Sequence, residues 1–285
     1  MGAINVDEIL TLDAPPRAGT SNPAARRVAR GGVARNVAEN LARLGVPTTL
    51  IGLVGDDREG HDIVEGTGAA GARLRVDVLP DAETGRYAAI VAPDGSLVLG
   101  VASMDIQTRM TPAWLADKAA DIDAADWVFA DANLPADSLA WLARRAGRLA
   151  VDAVSLAKTP RLPASADLLF CNRDEAALLS GGTGDFAMLA EALRARAVKV
   201  VVSDGAGGVA WATATASGRL PAPATACVDE TGAGDALASG TLYGLTIGDD
   251  LARACARGVR AAALTVAVQG PCAPLRADDL REAAA

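Results

Sequence analysis

Histidine occurs once in this 285-residue chain, as His61. Cysteine occurs four times, as Cys171, Cys227, Cys255 and Cys272, and no two form a CxxC pair. With so few soft ligands a structural zinc centre is not expected, and a chain of this length needs no disulfide framework. The cysteines read as free thiols in a reducing cytoplasm. Aromatic residues make up only 3% of the chain against 51% apolar residues overall. Ala, Val and Leu must therefore fill the core, which suits a Val-rich parallel sheet under Ala-rich helices. No uncharged apolar run approaches the roughly 20 residues of a membrane span. Met1 is followed by Gly2-Ala3-Ile4-Asn5 and then by acids, so no secretory signal is read. Positive charge is also in deficit. The net charge of −8 argues against nucleic acid or membrane as partner, because both are polyanionic.

What is present alternates. Thr48–Val54, Trp127–Ala130, Leu149–Val154, Leu168–Cys171 and Val198–Ser203 read as strands. The last of these is a β-branched run of the kind buried on both faces. Between them lie helical patterns. Val33, Val37, Leu41 and Leu44 share one face and Gly45 follows as a stop; Asp174–Leu179, Phe186–Arg196 and Asp235–Leu245 also read as helices. This alternation predicts an α/β fold with helices on both faces of a mostly parallel sheet. Two segments depart from it. Leu10–Arg30 is rich in Pro, Gly, Ser and Arg and fits no helical period. Gly85–Ala92 and Ser96–Val101 read as a hairpin around Pro93-Asp94-Gly95. Both could form a small β-layer over one end of the sheet. Only five residues precede Val6, so either the first strand is short or the given start is trimmed.

The chemistry concentrates in Asp229-Glu230-Thr231-Gly232-Ala233-Gly234-Asp235-Ala236. Small residues let backbone N–H groups approach an anion, and a helix N-terminus adds its positive end. Asp235, opening that helix, could take the proton of an attacking hydroxyl. By itself the segment reads equally as a Gly-rich turn with Asp235 as a cap.

The company it keeps decides between the two. Gly31–Gly45 resembles the N-terminal signature of the PfkB, or ribokinase-like, carbohydrate kinases, with its paired glycines, Asn36 and following helix. Asp229–Asp235 resembles the C-terminal signature, Asn172–Glu175 the NxxE motif, and Ser203–Gly208 the nucleotide loop, all in the family's order. The resemblance covers nearly the whole chain. It implies a ribokinase-like, doubly wound, mostly parallel sheet flanked by helices, as one domain over residues 1–285 with lid segments at about 10–30 and 84–101.

It also implies roles. Asp235 would be the base, and Gly232, Ala233 and Gly234 the anion hole. Asn172 and Glu175 would order magnesium and the ATP phosphates, with Glu175 acting through water. Ser203, Gly205 and Gly208 would line the nucleotide site. Asn5, Asp7, Gly31, Gly32 and Asn36 would hold the acceptor, and Asp229 and Thr231 would hold a monovalent cation such as potassium. Asn172 could instead merely cap its helix, and Asp7 could be a surface turn acid.

The stretches Gly19–Pro23, Gly31–Gly45, Met104–Ile106 with Met110–Pro112, Asp131–Pro135 and Val151–Lys158 resemble the members of the family that phosphorylate pseudouridine. On that likeness Ser21, Asn22 and Asn133 are candidates for reading the ribose or uracil edge, though they serve equally as turn and cap residues. A small-molecule sugar or nucleoside is thus the expected partner, in a homodimer formed through the lid. Rival readings are a different PfkB acceptor (ribose, adenosine, fructose, 2-keto-3-deoxygluconate) or a nucleoside-binding protein without chemistry. A dinucleotide oxidoreductase is disfavoured because no GxGxxG follows the first strand.

Overall fold

The computed structural model describes residues 1–281. In chain order the first half runs β1 (Asn5–Leu12), β2 (Ala24–Gly31), α1 (Val33–Arg43), β3 (Thr49–Gly55), α2 (Arg58–Ala69), β4 (Arg73–Leu79), β5 (Gly85–Val91), β6 (Leu97–Ser103), α3 (Pro112–Ala116), α4 (Ala119–Asp123) and β7 (Val128–Asp131). The second half runs α5 (Ala136–Arg145), β8 (Leu149–Asp152), β9 (Ala166–Asn172), α6 (Arg173–Ser180), α7 (Phe186–Ala192), β10 (Ala197–Ser203), β11 (Val209–Ala212), β12 (Ser217–Leu220), α8 (Ala233–Thr246) and α9 (Leu251–Val266).

The main sheet has the order β12-β11-β10-β9-β8-β7, with β7 to β10 mutually parallel and β11 and β12 antiparallel at one edge. Its central parallel strands are buried on both faces, as the β-branched runs require. Val200 and Val202 pack with Ala176 of α6 and Leu189 of α7. Val201 points the other way, into a cluster with Leu237 and Leu242 of α8 and Val259 of α9. Each such valine contributes roughly 1.5–3 kcal/mol of apolar burial. Glycines bring α8 and α9 into backbone contact: a Cβ at Gly240 would lie 2.8 Å from the Arg257 carbonyl oxygen, and one at Gly258 would lie 2.5 Å from that of Leu237. This fixes where the N-terminus of α8 points.

A second sheet, β2-β1-β5-β6, carries both segments that break the alternation. β5 and β6 form the expected hairpin. The Leu10–Arg30 segment completes β1 and supplies β2, leaving residues 13–23 as their connection. The first strand is not short: β1 runs eight residues, because its outer half pairs with β2 on one side and β5 on the other. Two further expectations are corrected at strand and helix ends. β8 stops at Asp152, since Val154 takes a φ of 64° that no strand accommodates. The helix expected over Phe186–Arg196 ends at Ala192 and tightens into a 3-10 turn at Leu193–Ala195.

Residues 1–4 join the sheets. The Met1 ammonium donates to the Phe129 carbonyl at 2.6 Å, and the Gly2 amide donates to the Ile51 carbonyl at 3.3 Å, so this segment runs between β7 and the parallel pair β3–β4. Asp131, the last residue of β7, is fully buried beside it. Its Oδ2 accepts from the amides of Ala3 and Ala34, each at 2.9 Å. Its Oδ1 accepts from the amide of Asn133 at 2.9 Å and from Asn133 Nδ2 at 2.8 Å. One carboxylate thus ties the N-terminal segment, the start of α1 and the β7–α5 turn. Asp131→Ala would strand several buried donors. Thermal unfolding should show a loss of roughly 3 kcal/mol or more, a midpoint drop of about 6–12 °C; a drop within 2 °C or so would contradict this account.

Candidate active site

Four neighbouring parallel strands end on a polar residue at the same edge of the sheet: β7 on Asp131, β8 on Asp152, β9 on Asn172 and β10 on Ser203. The register pairs Asp131 with Asp152 and Asn172 with Ser203. The carboxyl edge of a parallel sheet is where an α/β fold opens a crevice. Here a cavity of about 170 Å³ is lined by Asp152, Val154, Asn172, Glu175, Ser203 and, from the facing helix, Gly234 and Asp235.

Asp235 lies in the first turn of α8, whose amides lack intrahelical acceptors. Gly232 precedes it at φ 77°, with the carbonyl of Pro271 only 2.1 Å from where a Cβ would sit, so both the backbone angle and the space demand glycine there. Nothing lies within 4 Å of a Cβ built on Gly234, which leaves that part of the turn open to a ligand. Glu230, an acid beside this turn, is exposed.

Asn36 of α1 donates from Nδ2 to Asp235 Oδ2 at 2.5 Å. The orientation of that amide is set from behind. Arg35, 1% exposed, donates to Asn36 Oδ1, to the carbonyls of Arg30 at 2.5 Å and Gly31 at 3.2 Å, and to Glu39 at 2.5 Å. A guanidinium cannot accept, so the Asn36 oxygen must face Arg35 and its NH2 must face Asp235.

Burial pushes the Asp235 carboxyl up to about 7; the charges of Asp131 and Asp7 add to this, while the Asn36 hydrogen bond and Arg35 oppose it. Although Asp235 is surrounded by protein, part of its side chain is open to the cavity. Asp7 on β1 is raised to about 6, chiefly by burial and against its 2.7 Å hydrogen bond from Asn5 Nδ2. Gly31 packs on it: a Cβ there would fall 2.3 Å from the Asp7 carboxylate. Gly32, at φ 101°, passes as closely to the Ala3 carbonyl.

Asn172 and Glu175 form a reciprocal capping box at the start of α6, each side chain accepting the other's amide at 2.9 Å. The capping role and the cavity position coexist, because one Glu175 oxygen remains outside the box. Burial raises the Glu175 carboxyl despite the amide of Asn172. Asp152, which the sequence analysis assigned no role, is raised well above the usual carboxylate range by burial, then by the charges of Asp235 and Glu175. The strained φ of Val154 places its amide 2.8 Å from Asp152 Oδ1. Among the described residues no three acidic or sulfur or imidazole side chains already converge as a metal cage. The donors that do converge are carboxylates, the hard oxygen ligands magnesium takes in ones and twos alongside phosphate and water, so the residues fit that ion.

Other expected residues are engaged elsewhere. Asn22 folds its own exposed loop, donating to the Arg17 carbonyl at 2.9 Å and to that of Thr20 at 3.0 Å, and Ser21 is exposed beside it. Asn133 gives its amide nitrogen to Asp131 and its oxygen to Lys158. Gly205 opens a 3-10 turn after β10, and Gly208, at φ 92°, packs on the Leu220 carbonyl; neither lines the cavity. Asp229 accepts from the amide of Thr231 at 3.0 Å, from that of Gly270 at 3.0 Å and from the Arg27 guanidinium at 2.6 Å.

Known proteins show the same arrangement of elements and motifs. Residues 1–278 match the pfkB family of carbohydrate kinases. The chain is 30% identical to the pseudouridine kinase of Escherichia coli (strain K12) over 232 residues, 77% of this chain and 74% of that one. It is 32% identical to the ATP-dependent ribose-1-phosphate kinase of Halopiger xanaduensis, over 94% of this chain and 91% of that one. A solved carbohydrate kinase from Agrobacterium tumefaciens superposes with a TM-score of 0.81 at 32% identity, covering 98% of this chain and 94% of the other. The chain belongs to the pfkB family, the ATP-dependent kinases of sugars and nucleosides.

Proposed function

We propose that this chain transfers the γ-phosphoryl group of ATP to the 5′-hydroxyl of pseudouridine. The observation that carries the chemistry is Asp235, a half-open carboxylate poised near neutrality at a helix N-terminus and held on one oxygen by Asn36. The other oxygen is left to accept the proton of the acceptor hydroxyl. As that proton leaves, the acceptor oxygen bonds to the γ-phosphorus in line and the bond to the bridging β–γ oxygen breaks, with ADP as leaving group. The first-turn amides of α8 meet the charge on the transferring group. Glu175 and Asp152 would hold magnesium, which neutralises charge on the phosphate oxygens. Asn172 and Ser203 face the phosphates across the same cavity. Asp7, with Asn5 at its side and Gly31 against it, binds acceptor hydroxyls; as an acceptor-only carboxylate it selects for OH groups.

Pseudouridine as acceptor rests on the stretches that resemble that branch and on the match to the Escherichia coli pseudouridine kinase. A second reading, another sugar or nucleoside as acceptor, is favoured by the match to the ribose-1-phosphate kinase, which covers more of this chain.

The β2-β1-β5-β6 sheet acts as the lid. Its edge strand β6 exposes Leu97, Leu99 and Val101 on one face, at 60, 52 and 53%. An exposed apolar edge strand invites pairing, and a second copy of the same lid would bury it.

Four outcomes follow. ADP release with magnesium-ATP against pseudouridine, uridine, adenosine, ribose, ribose 1-phosphate, fructose and 2-keto-3-deoxygluconate should favour pseudouridine; preference for any other acceptor removes that assignment. Asp235→Asn should bind ATP with unchanged affinity yet turn over roughly 10²–10⁴-fold more slowly. In the unmutated protein, kcat/KM should fall tenfold per pH unit below about 7, since protonation of Asp235 removes the base; a flat profile down to pH 5, or brisk turnover by Asp235→Asn, contradicts the role. Light scattering should find a dimer that Leu99→Asp converts to a monomer, and an unaltered mass in that variant would place the contact elsewhere.

A further inference from the structure

Resemblance assigns Asp229 and Thr231 to a monovalent cation, but the donor set around Asp229 does not fit one. Its Oδ1 accepts from the Thr231 amide at 3.0 Å, and its Oδ2 accepts from the Gly270 amide at 3.0 Å and from the Arg27 guanidinium at 2.6 Å. The carboxylate is 11% exposed and the Arg27 side chain 28%. Three donors, one of them a full positive charge, leave little lone-pair capacity on this carboxylate. A second cation on the same oxygens would lie against the guanidinium, in a setting where solvent screens them poorly.

The pair also joins parts of the molecule that are far apart in the chain. Arg27 belongs to β2, opposite Ile9; two residues on, Ala29 lies opposite Asp7, so this is the strand that walls the acceptor side. Asp229 opens the turn that leads through Thr231 and Gly232 to Asp235. Gly270, the third partner, precedes Pro271, whose carbonyl packs on Gly232. One carboxylate therefore gathers β2, the start of the anion-binding turn and the segment behind it.

We propose that Arg27 supplies the positive charge that the family resemblance assigns to a dissolved cation, so that β2, and not potassium, orders the Asp229–Asp235 turn. Arg27 is a positioning residue: it acts on the turn through Asp229. The inference rests on the kinase reading of the site, but it makes a claim about the turn itself that needs no substrate. It also predicts that the turn and the lid are ordered together, because the same ion pair belongs to both.

The test compares the whole protein in potassium chloride and in tetramethylammonium chloride at one ionic strength, with two readouts. The thermal midpoint, taken without ATP or acceptor, reports whether potassium stabilises the fold independently of turnover; ADP release with the preferred acceptor reports the use of the turn. For the unmutated protein the midpoint should agree within about 1 °C and the rate within about twofold between the two salts. Arg27→Gln should melt lower in tetramethylammonium and turn over roughly tenfold more slowly, with potassium restoring part of both. Tenfold activation of the unmutated protein by potassium overturns the proposal. So does an Arg27→Gln protein that matches the unmutated one in tetramethylammonium. Should Arg27→Gln fail to fold, Arg27→Lys keeps the charge while losing the planar fork; it is expected to stay indifferent to the salt, and a potassium requirement there overturns the proposal. Absence of turnover with every acceptor would count against the kinase reading, and the two midpoints would still decide the role of Arg27.

Discussion

A single buried carboxylate, Asp131, holds the architecture of the site in register. A carboxyl group with no exposure is tolerable only when its oxygens are hydrogen-bonded, and Asp131 meets this with four N–H donors from three segments. Because the donors include the amides of Ala3 and Ala34, the N-terminal segment and the start of α1 can shift only together. Asn36 is two residues further along that helix and touches Asp235. A constraint at the end of β7 is thus passed to the candidate base within the first turn of α1.

The site itself is electrostatically costly. Asp152, Glu175 and Asp235 line one small cavity, and each is pushed towards its neutral form by burial, with Asp152 also opposed by the other two. Asp7 adds to the field at Asp235. Packing acids together in this way destabilises the empty protein at neutral pH, but it suits the phosphoryl transfer we propose for this cavity. A cation that arrives with the phosphates relieves the repulsion, and a carboxylate near neutrality is better matched to proton transfer than an ordinary surface aspartate. The strain at Val154, with its amide aimed at Asp152, belongs to the same compromise.

The opposing charges come from the other side. Arg35 sits behind Asn36 and Arg27 sits behind Asp229, and both reach their partners from around the β2–α1 junction. Strand β2 and the segments that hold Asn36 and Asp235 are therefore connected by guanidinium groups whose planar donors fix the orientation of what they touch. The acidic total charge of the chain conceals this, because the basic residues that matter are placed singly and not in a patch.

How much of this was legible depended on whether the signal was local. The parallel strands were readable because burial on both faces forces continuous β-branched runs such as Val200-Val201-Val202, whose periodicity needs no knowledge of partners. The Gly232–Asp235 turn was readable for a similar reason: close approach, a positive φ and a helix start are demands on a few consecutive residues. β2 was not, since Ala24–Gly31 has three arginines and no apolar alternation; it is a strand because β1 offers it a hydrogen-bonding edge. Asp131 and Asp152 were not assigned roles either, as isolated acids at strand ends carry no spacing that sets them apart. Sequence alone determined the elements with a local pattern and the one motif whose geometry is written in neighbouring residues. Tertiary structure decided which isolated charges meet, because the pairings of Asp131 with Ala3 and Ala34, of Asn36 with Asp235 and of Arg27 with Asp229 exist only after strands and helices distant in the chain have packed side by side.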